Sequence, residues 1–109
     1  MQGPQPKRKS IAGAGPIVFS RDSFGYALDV DFGQYQLTCK GLDGGTYGVE
    51  VLCLDDIWRS VATGKALTDI VHIGEQFHFQ QIRVTYAGMG GAAAPVATLS
   101  ATGRHYAWG

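Results

Sequence analysis

The chain has 109 residues, with nine Lys and Arg against nine Asp and Glu, and 45% of its residues are hydrophobic. That length and apolar content suit one domain with a single core and exclude a disordered chain, while 16 glycines call for many tight turns. The zero net charge is unevenly spread: Lys7, Arg8 and Lys9 place +3 in the first ten residues and leave −3 on residues 11–109. A globally basic surface for nucleic acid is thereby excluded, and direct nucleic-acid binding is not expected.

In chain order, residues 1–15 read as an extended basic arm, because Pro4 and Pro6 forbid a helix and Gly13 and Gly15 loosen the backbone. Ile17–Phe19 is a short strand and Ser20–Ser23 a turn. Tyr26, Leu28, Val30 and Phe32 alternate with Ala27, Asp29 and Asp31, the two-residue period of a half-exposed strand, which Gly33 is expected to break. Tyr35, Leu37 and Cys39 repeat the pattern. Gly41–Gly45 supplies the positive φ of a tight turn, after which Tyr47, Val49, Val51 and Cys53 share one face of a strand. Asp55-Asp56 turns the chain into a second strand from Ile57, making a hairpin over Thr46–Thr63. Gly64-Lys65-Ala66 reads as a connection, Asp69–Ile73 as a short strand, and Gly74-Glu75 as a turn. Ile82, Val84 and Tyr86 mark a central strand, residues 87–94 a flexible small-residue loop, and Ala97, Leu99 and Ala101 the inward side of the last strand.

Seven to eight short strands at such spacing predict an all-β fold, an antiparallel β-sandwich of jelly-roll type, over residues 16–103. Residues 104–109 form an aromatic tail. No apolar run approaches the ~20 residues that span a bilayer. The stretch Ser10–Pro16 is too glycine-broken for a signal peptide, so the expectation is a soluble product of the cytoplasm without a membrane partner.

Candidate chemistry is sparse. His72, His78 and His105 have no nearby activated nucleophile, which argues against an enzyme. Asp29 and Asp31, with Asp22, lack the loop pattern of a Ca²⁺ site and read as a solvated face. His72 and His78 alone make no zinc site, and neither metal nor cofactor is expected. Cys39 and Cys53 both fall on inward positions of what read as adjacent hairpin arms; a bridge and two buried thiols are both open, with free thiols preferred. Trp58 has two readings, a core anchor of the hairpin or an exposed glycan-binding platform, and the first is preferred. Lys7, Arg8 and Lys9, together with Tyr106 and Trp108, are the candidate partner-binding residues. Charge and large aromatics at the two ends suit an arm and tail that order on a neighbouring subunit, or a tail that docks on its own domain.

Thr46–Thr63, the strand Phe79-Gln80-Gln81-Ile82-Arg83-Val84-Thr85, and Val96-Ala97-Thr98-Leu99-Ser100 together resemble the small β-sandwich accessory proteins of tailed-bacteriophage virions. Those proteins carry a Gly-x-Tyr-x-Val-Glu-Val hairpin, an aromatic-x-x-Ile-Arg-Val strand and a closing Val-x-Thr-Leu-Ser strand. Asp55-Asp56 stands here where the pattern has Asp-Gly. The resemblance covers about half of the chain. It implies a virion protein: a capsid cement or decoration protein, or a head-fibre or tail component, that contacts the major capsid protein or other virion subunits. A symmetric homo-oligomer, dimer or trimer, is the accompanying expectation, since closed symmetry covers open sheet edges. A carbohydrate-binding or host-attachment module of a phage tail or head fibre is the alternative, with Trp58 as its platform.

Overall fold

The computed structural model describes residues 7–24, 32–74 and 79–103. Eight strands lie in these residues, in two antiparallel sheets of four. The first sheet has the order β1 (Lys7–Ala12), β8 (Val96–Gly103), β3 (Phe32–Lys40) and β6 (Val71–Gly74). The second has β2 (Ile17–Phe19), β7 (Phe79–Ala87), β4 (Thr46–Cys53) and β5 (Trp58–Lys65). Successive strands change sheet at every connection except β4–β5. An eight-stranded sandwich with this strand order is a jelly roll, built from interlocked Greek keys.

The core follows from the two-residue period. Leu37, Val49, Val51, Ile73, Ile82, Val84 and Leu99 are fully buried, and each lies on the inward side of its strand. Burying one such side chain contributes about 1.5–3 kcal/mol. The Tyr35 and Phe79 rings meet edge-on across the sheets, 5.3 Å between centroids and 65° between planes. Tyr47 brings a polar tip into this interior. Its hydroxyl donates to the Asp69 carbonyl at 2.8 Å, with the Leu37 carbonyl at 3.4 Å, tying β4 to the β5–β6 loop.

The hairpin is formed, and its turn explains the second aspartate. Asp56 N donates to the Cys53 carbonyl at 2.9 Å, Cys53 N donates to the Ile57 carbonyl at 3.0 Å, and Asp56 takes a φ of 65°. Asp56 thus fills the left-handed position that Gly usually takes in a three-residue hairpin loop.

Several local expectations are corrected. Lys7–Ala12, within the stretch expected to be an extended arm outside the sandwich, is an edge strand in register with β8, Lys7 opposite Ala101 and Ala12 opposite Val96. Gly33 does not end a strand; β3 continues through it with a register shift between Phe32 and Gln34. Lys65 belongs to β5 and not to a connection, and Asp69 precedes β6 in a turn where its Oδ2 accepts from Ala66 N at 2.7 Å. The expected strand over Tyr26–Asp31 lies outside the described residues.

The small-residue loop is not loose. Ala94 N donates to the Gly41 carbonyl at 2.9 Å, Gly90 N to the Asp43 carbonyl at 3.2 Å, and Ala92 N to Asp43 Oδ2 at 3.0 Å. Small residues permit the approach: a Cβ on Gly41 would collide with the Ala94 carbonyl oxygen, and Gly41 has a φ of 73°. The β3–β4 and β7–β8 loops therefore close one end of the sandwich as a unit.

Candidate functional site

The chain ends are placed by the pairing of β1 with β8. Lys7 is opposite Ala101, and Gly103 closes β8 opposite Phe32, so the chain enters and leaves the described fold at one corner on neighbouring strands. Within β1, Arg8 lies opposite Ser100 on the outer face. Lys9 is in register with the fully buried Leu99 yet is itself exposed. A lysine on the inward register of an edge strand blocks addition of another strand there. Neither Arg8 nor Lys9 pairs with a carboxylate among the described residues. Tyr106 and Trp108 lie outside the described residues.

The outer face of the first sheet extends from this corner. It carries Arg8 and Ser10 from β1, Thr98 and Ser100 from β8, Gln34, Gln36, Thr38 and Lys40 from β3, and His72 from β6. Ser10 and Thr98 share a hydrogen bond of 2.8 Å between their hydroxyls. No carboxylate stands on this face among the described residues, so its fixed charges are Arg8 and Lys40.

The outer face of the second sheet is different. Trp58 is opposite Leu52 on the outward side of β4, so it is not the core anchor that was preferred from the sequence. It is half-buried because Arg83 lies over its ring, with the guanidinium carbon 4.1 Å from the centroid. Arg83 Nε also donates to Glu50 Oε1 at 2.9 Å, which fixes the guanidinium in place. One face of the indole is therefore occupied, so a sugar ring could stack on that face only by displacing Arg83. The strand motif contained Arg83 and Glu50, but only the pairing of Glu50 with Arg83 across β4 and β7 brings them to Trp58.

The two cysteines are free and belong to opposite sheets, Cys39 in β3 and Cys53 in β4, not to arms of one hairpin. Burial pushes the Cys39 thiol up to about 11, despite an opposing contribution from Tyr86, so it is a protonated, poorly nucleophilic group at neutral pH. Burial likewise raises Tyr47 to about 12 and raises Tyr86 further, with the Cys39 charge adding to both. Tyr86 Oη is buried without a well-formed hydrogen bond, and the Cys39 thiol is its polar neighbour. At the β4–β5 turn the Arg59 guanidinium holds Asp55 below the usual carboxylate range through two hydrogen bonds of 2.9 and 2.8 Å.

His72 is exposed, whereas His78, His105, Asp29 and Asp31 lie outside the described residues. Among the described residues no three His, Cys, Asp or Glu side chains gather as metal ligands, and no helix is long and apolar enough to cross a membrane. The fold defines the class as a small jelly-roll domain. Comparison with family models, curated proteins and solved structures finds no match to this chain.

Proposed function

We propose that the protein is a non-catalytic structural component of a phage particle, a cement or decoration protein that binds the assembled head. The observation that carries this reading is the corner where the described fold begins at Lys7 and ends at Gly103, beside a sheet face that holds Arg8 and Lys40 and no described carboxylate. A partner surface rich in Asp and Glu complements such a face, and the charged pairs would steer association. The basic residues Lys7, Arg8 and Lys9 of β1 and the aromatic residues Tyr106 and Trp108, which follow β8 in the sequence, are the proposed contacts with that partner.

The sheet edges support face and end contacts over strand addition. β1 carries three consecutive cations, β2 and β6 are three and four residues long, and β5 has two register shifts against β4. Each is a known way of keeping an edge from pairing with another chain. A homo-oligomer, dimer or trimer, would accordingly not form through a continuous sheet. Co-sedimentation of the full chain with phage heads tests the reading: Arg8→Glu with Lys40→Glu should weaken binding at least ~10-fold, as like charges replace complementary ones. Unchanged binding by this variant would remove the carboxylate-free face from the account.

A further inference from the structure

The large apolar side chains exposed among the described residues are Val18, Leu54, Ile57, Leu67 and Ile70. All but Val18 fall on two short loops, Leu54 and Ile57 in the β4–β5 turn, Leu67 and Ile70 between β5 and β6. The two loops lie at opposite ends of the sandwich. The turn begins at Cys53, opposite Phe79, whereas β5 passes into the β5–β6 loop at Lys65, opposite Tyr47. Tyr47 and Cys53 stand about 20 Å apart along β4 at the rise of a strand, so the two loops can meet only between molecules.

The β4–β5 turn is an apolar knob with one unbalanced negative charge. Leu54 is 56% exposed and Ile57 52%. Asp55 is neutralised by its two hydrogen bonds from Arg59. Asp56 accepts from Gln80 Nε2 at 2.9 Å, and no cation pairs with it among the described residues. The other end of the sandwich holds a matching hollow. Thr38 and Lys40 of β3 are in register with Thr98 and Val96 of β8. All four stand on the outer face of the first sheet, because the alternate residues Leu37, Cys39, Ala97 and Leu99 are buried inward. Leu67, 58% exposed, flanks them from the β5–β6 loop, and together they line a hollow of about 270 Å³. Its walls are the side chains of Leu67 and Val96 and the threonine methyls. Its one charge is Lys40, which is exposed and has no carboxylate partner among the described residues. The nearby Asp43 and Asp69 each direct an oxygen to a backbone N–H, that of Ala92 and of Ala66. The hollow is smaller than the roughly 300–1,000 Å³ of small-molecule pockets and suits side-chain anchors instead.

We infer that the β4–β5 turn of one copy seats Leu54 and Ile57 in this hollow on a second copy, with Asp56 beside Lys40. The occupant is a second copy because turn and hollow are alike in apolar character and opposite in charge, and each molecule carries both out of reach of one another. Such a contact is heterologous: it repeats head to tail and builds a ring or a filament, not a two-fold dimer. It needs no strand pairing at the guarded sheet edges. Arg8, in register with Ser100 and through it with Gln36, stays outside the contact. The inference goes beyond the association with heads and does not rest on it.

Sedimentation velocity of the full chain, with no heads present, is the test. The natural chain should associate beyond a dimer, with a dissociation constant on the order of 10–100 μM for so small a contact. Leu54→Ser with Asp56→Asn disables the turn, and asparagine tolerates the φ of 65° found there. Leu67→Ser with Lys40→Gln disables the hollow. Each variant alone should associate at least ~10-fold more weakly than the natural chain. An equimolar mixture of the two should form a one-to-one dimer and nothing larger, since one sound turn and one sound hollow remain. A natural chain that stays monomeric at ~1 mM would overturn the inference. So would variants that associate as the natural chain does, or a mixture that stays monomeric although both variants are folded by circular dichroism. A carbodiimide, which condenses a carboxylate with an amine in contact with it, reads the same contact in the natural chain. It should join Asp56 to Lys40 between copies, and a peptide map without that amide would contradict the arrangement. Because no head takes part, failure here leaves the proposed association with heads untouched.

Discussion

Arg83 lies across the face of Trp58, 4.1 Å from guanidinium carbon to ring centroid, while its Nε donates to Glu50 at 2.9 Å. The stack joins β7, β4 and β5 on the outer face of one sheet, where no core packing holds them. Arg83→Ala should lower stability by about 1 kcal/mol, combining a cation–π contact and a partly exposed ion pair. In a Trp108→Phe background, the fluorescence of Trp58 should also shift to the red as the ring is uncovered. Urea unfolding and emission spectra check both. An unchanged emission maximum would show that Arg83 does not cover the ring in solution.

The clamp between the β3–β4 and β7–β8 loops makes a separate prediction. Gly41→Ala forces a side chain against the Ala94 carbonyl at a φ of 73°, and should destabilise by about 1–3 kcal/mol. Asp43→Ala removes the acceptor of Ala92 N and should lose about 1 kcal/mol. Amide hydrogen exchange at Ala92 and Ala94 should speed up in both variants. If exchange there is already fast in the natural chain, the loops are not joined as described.

Much of this was legible in the sequence because one physical signal carried it. Alternation at Tyr47, Val49 and Val51, and at Ile82 and Val84, marked inward faces that are fully buried. Turn chemistry marked the hairpin. Pairing across the chain was not legible. Strand period alone cannot say that β1 returns to lie beside β8, or that β3 and β4 belong to opposite sheets, so the basic residues read as an extended arm outside the sandwich and Cys39 and Cys53 as neighbours. Trp58 lies in the regular part of the hairpin, opposite Leu52, and aromatic character alone does not say that this register is the outward one.

Alkaline pH should weaken the fold. Cys39 is raised from 9.0 to about 11 and Tyr47 from 10.0 to about 12, both chiefly by burial. Above the unfolded values the unfolded chain has lost these protons while the folded chain still holds them, so the folded state binds more protons and stability falls as pH rises. For Cys39 the fall runs from pH 9.0 to about 11, and stability from this group is intact below pH 9.0. Cys39→Val should reduce the slope over that window by one proton's worth. Urea midpoints measured across the window check it; identical slopes would place the thiol in a solvated setting.

Tyr47→Phe isolates one polar contact of the core. The hydroxyl bonds the Asp69 carbonyl at 2.8 Å and holds the β5–β6 loop against the sandwich. Its removal should cost about 1 kcal/mol and free the loop that precedes β6. Faster amide exchange at Val71, with the centre of β7 unchanged, would mark the effect as local.

Association with an assembled head is the claim on which the functional account stands. The direct measurement is co-sedimentation of purified full-length chain with phage heads, natural sequence against a variant with Lys7, Arg8 and Lys9 changed to Glu and Tyr106 and Trp108 changed to Ser. The natural chain should sediment with the heads in a saturable, fixed ratio, and the variant should stay in solution with its fold intact by circular dichroism. A natural chain that never sediments with heads, or a variant that binds them equally well, would contradict the account.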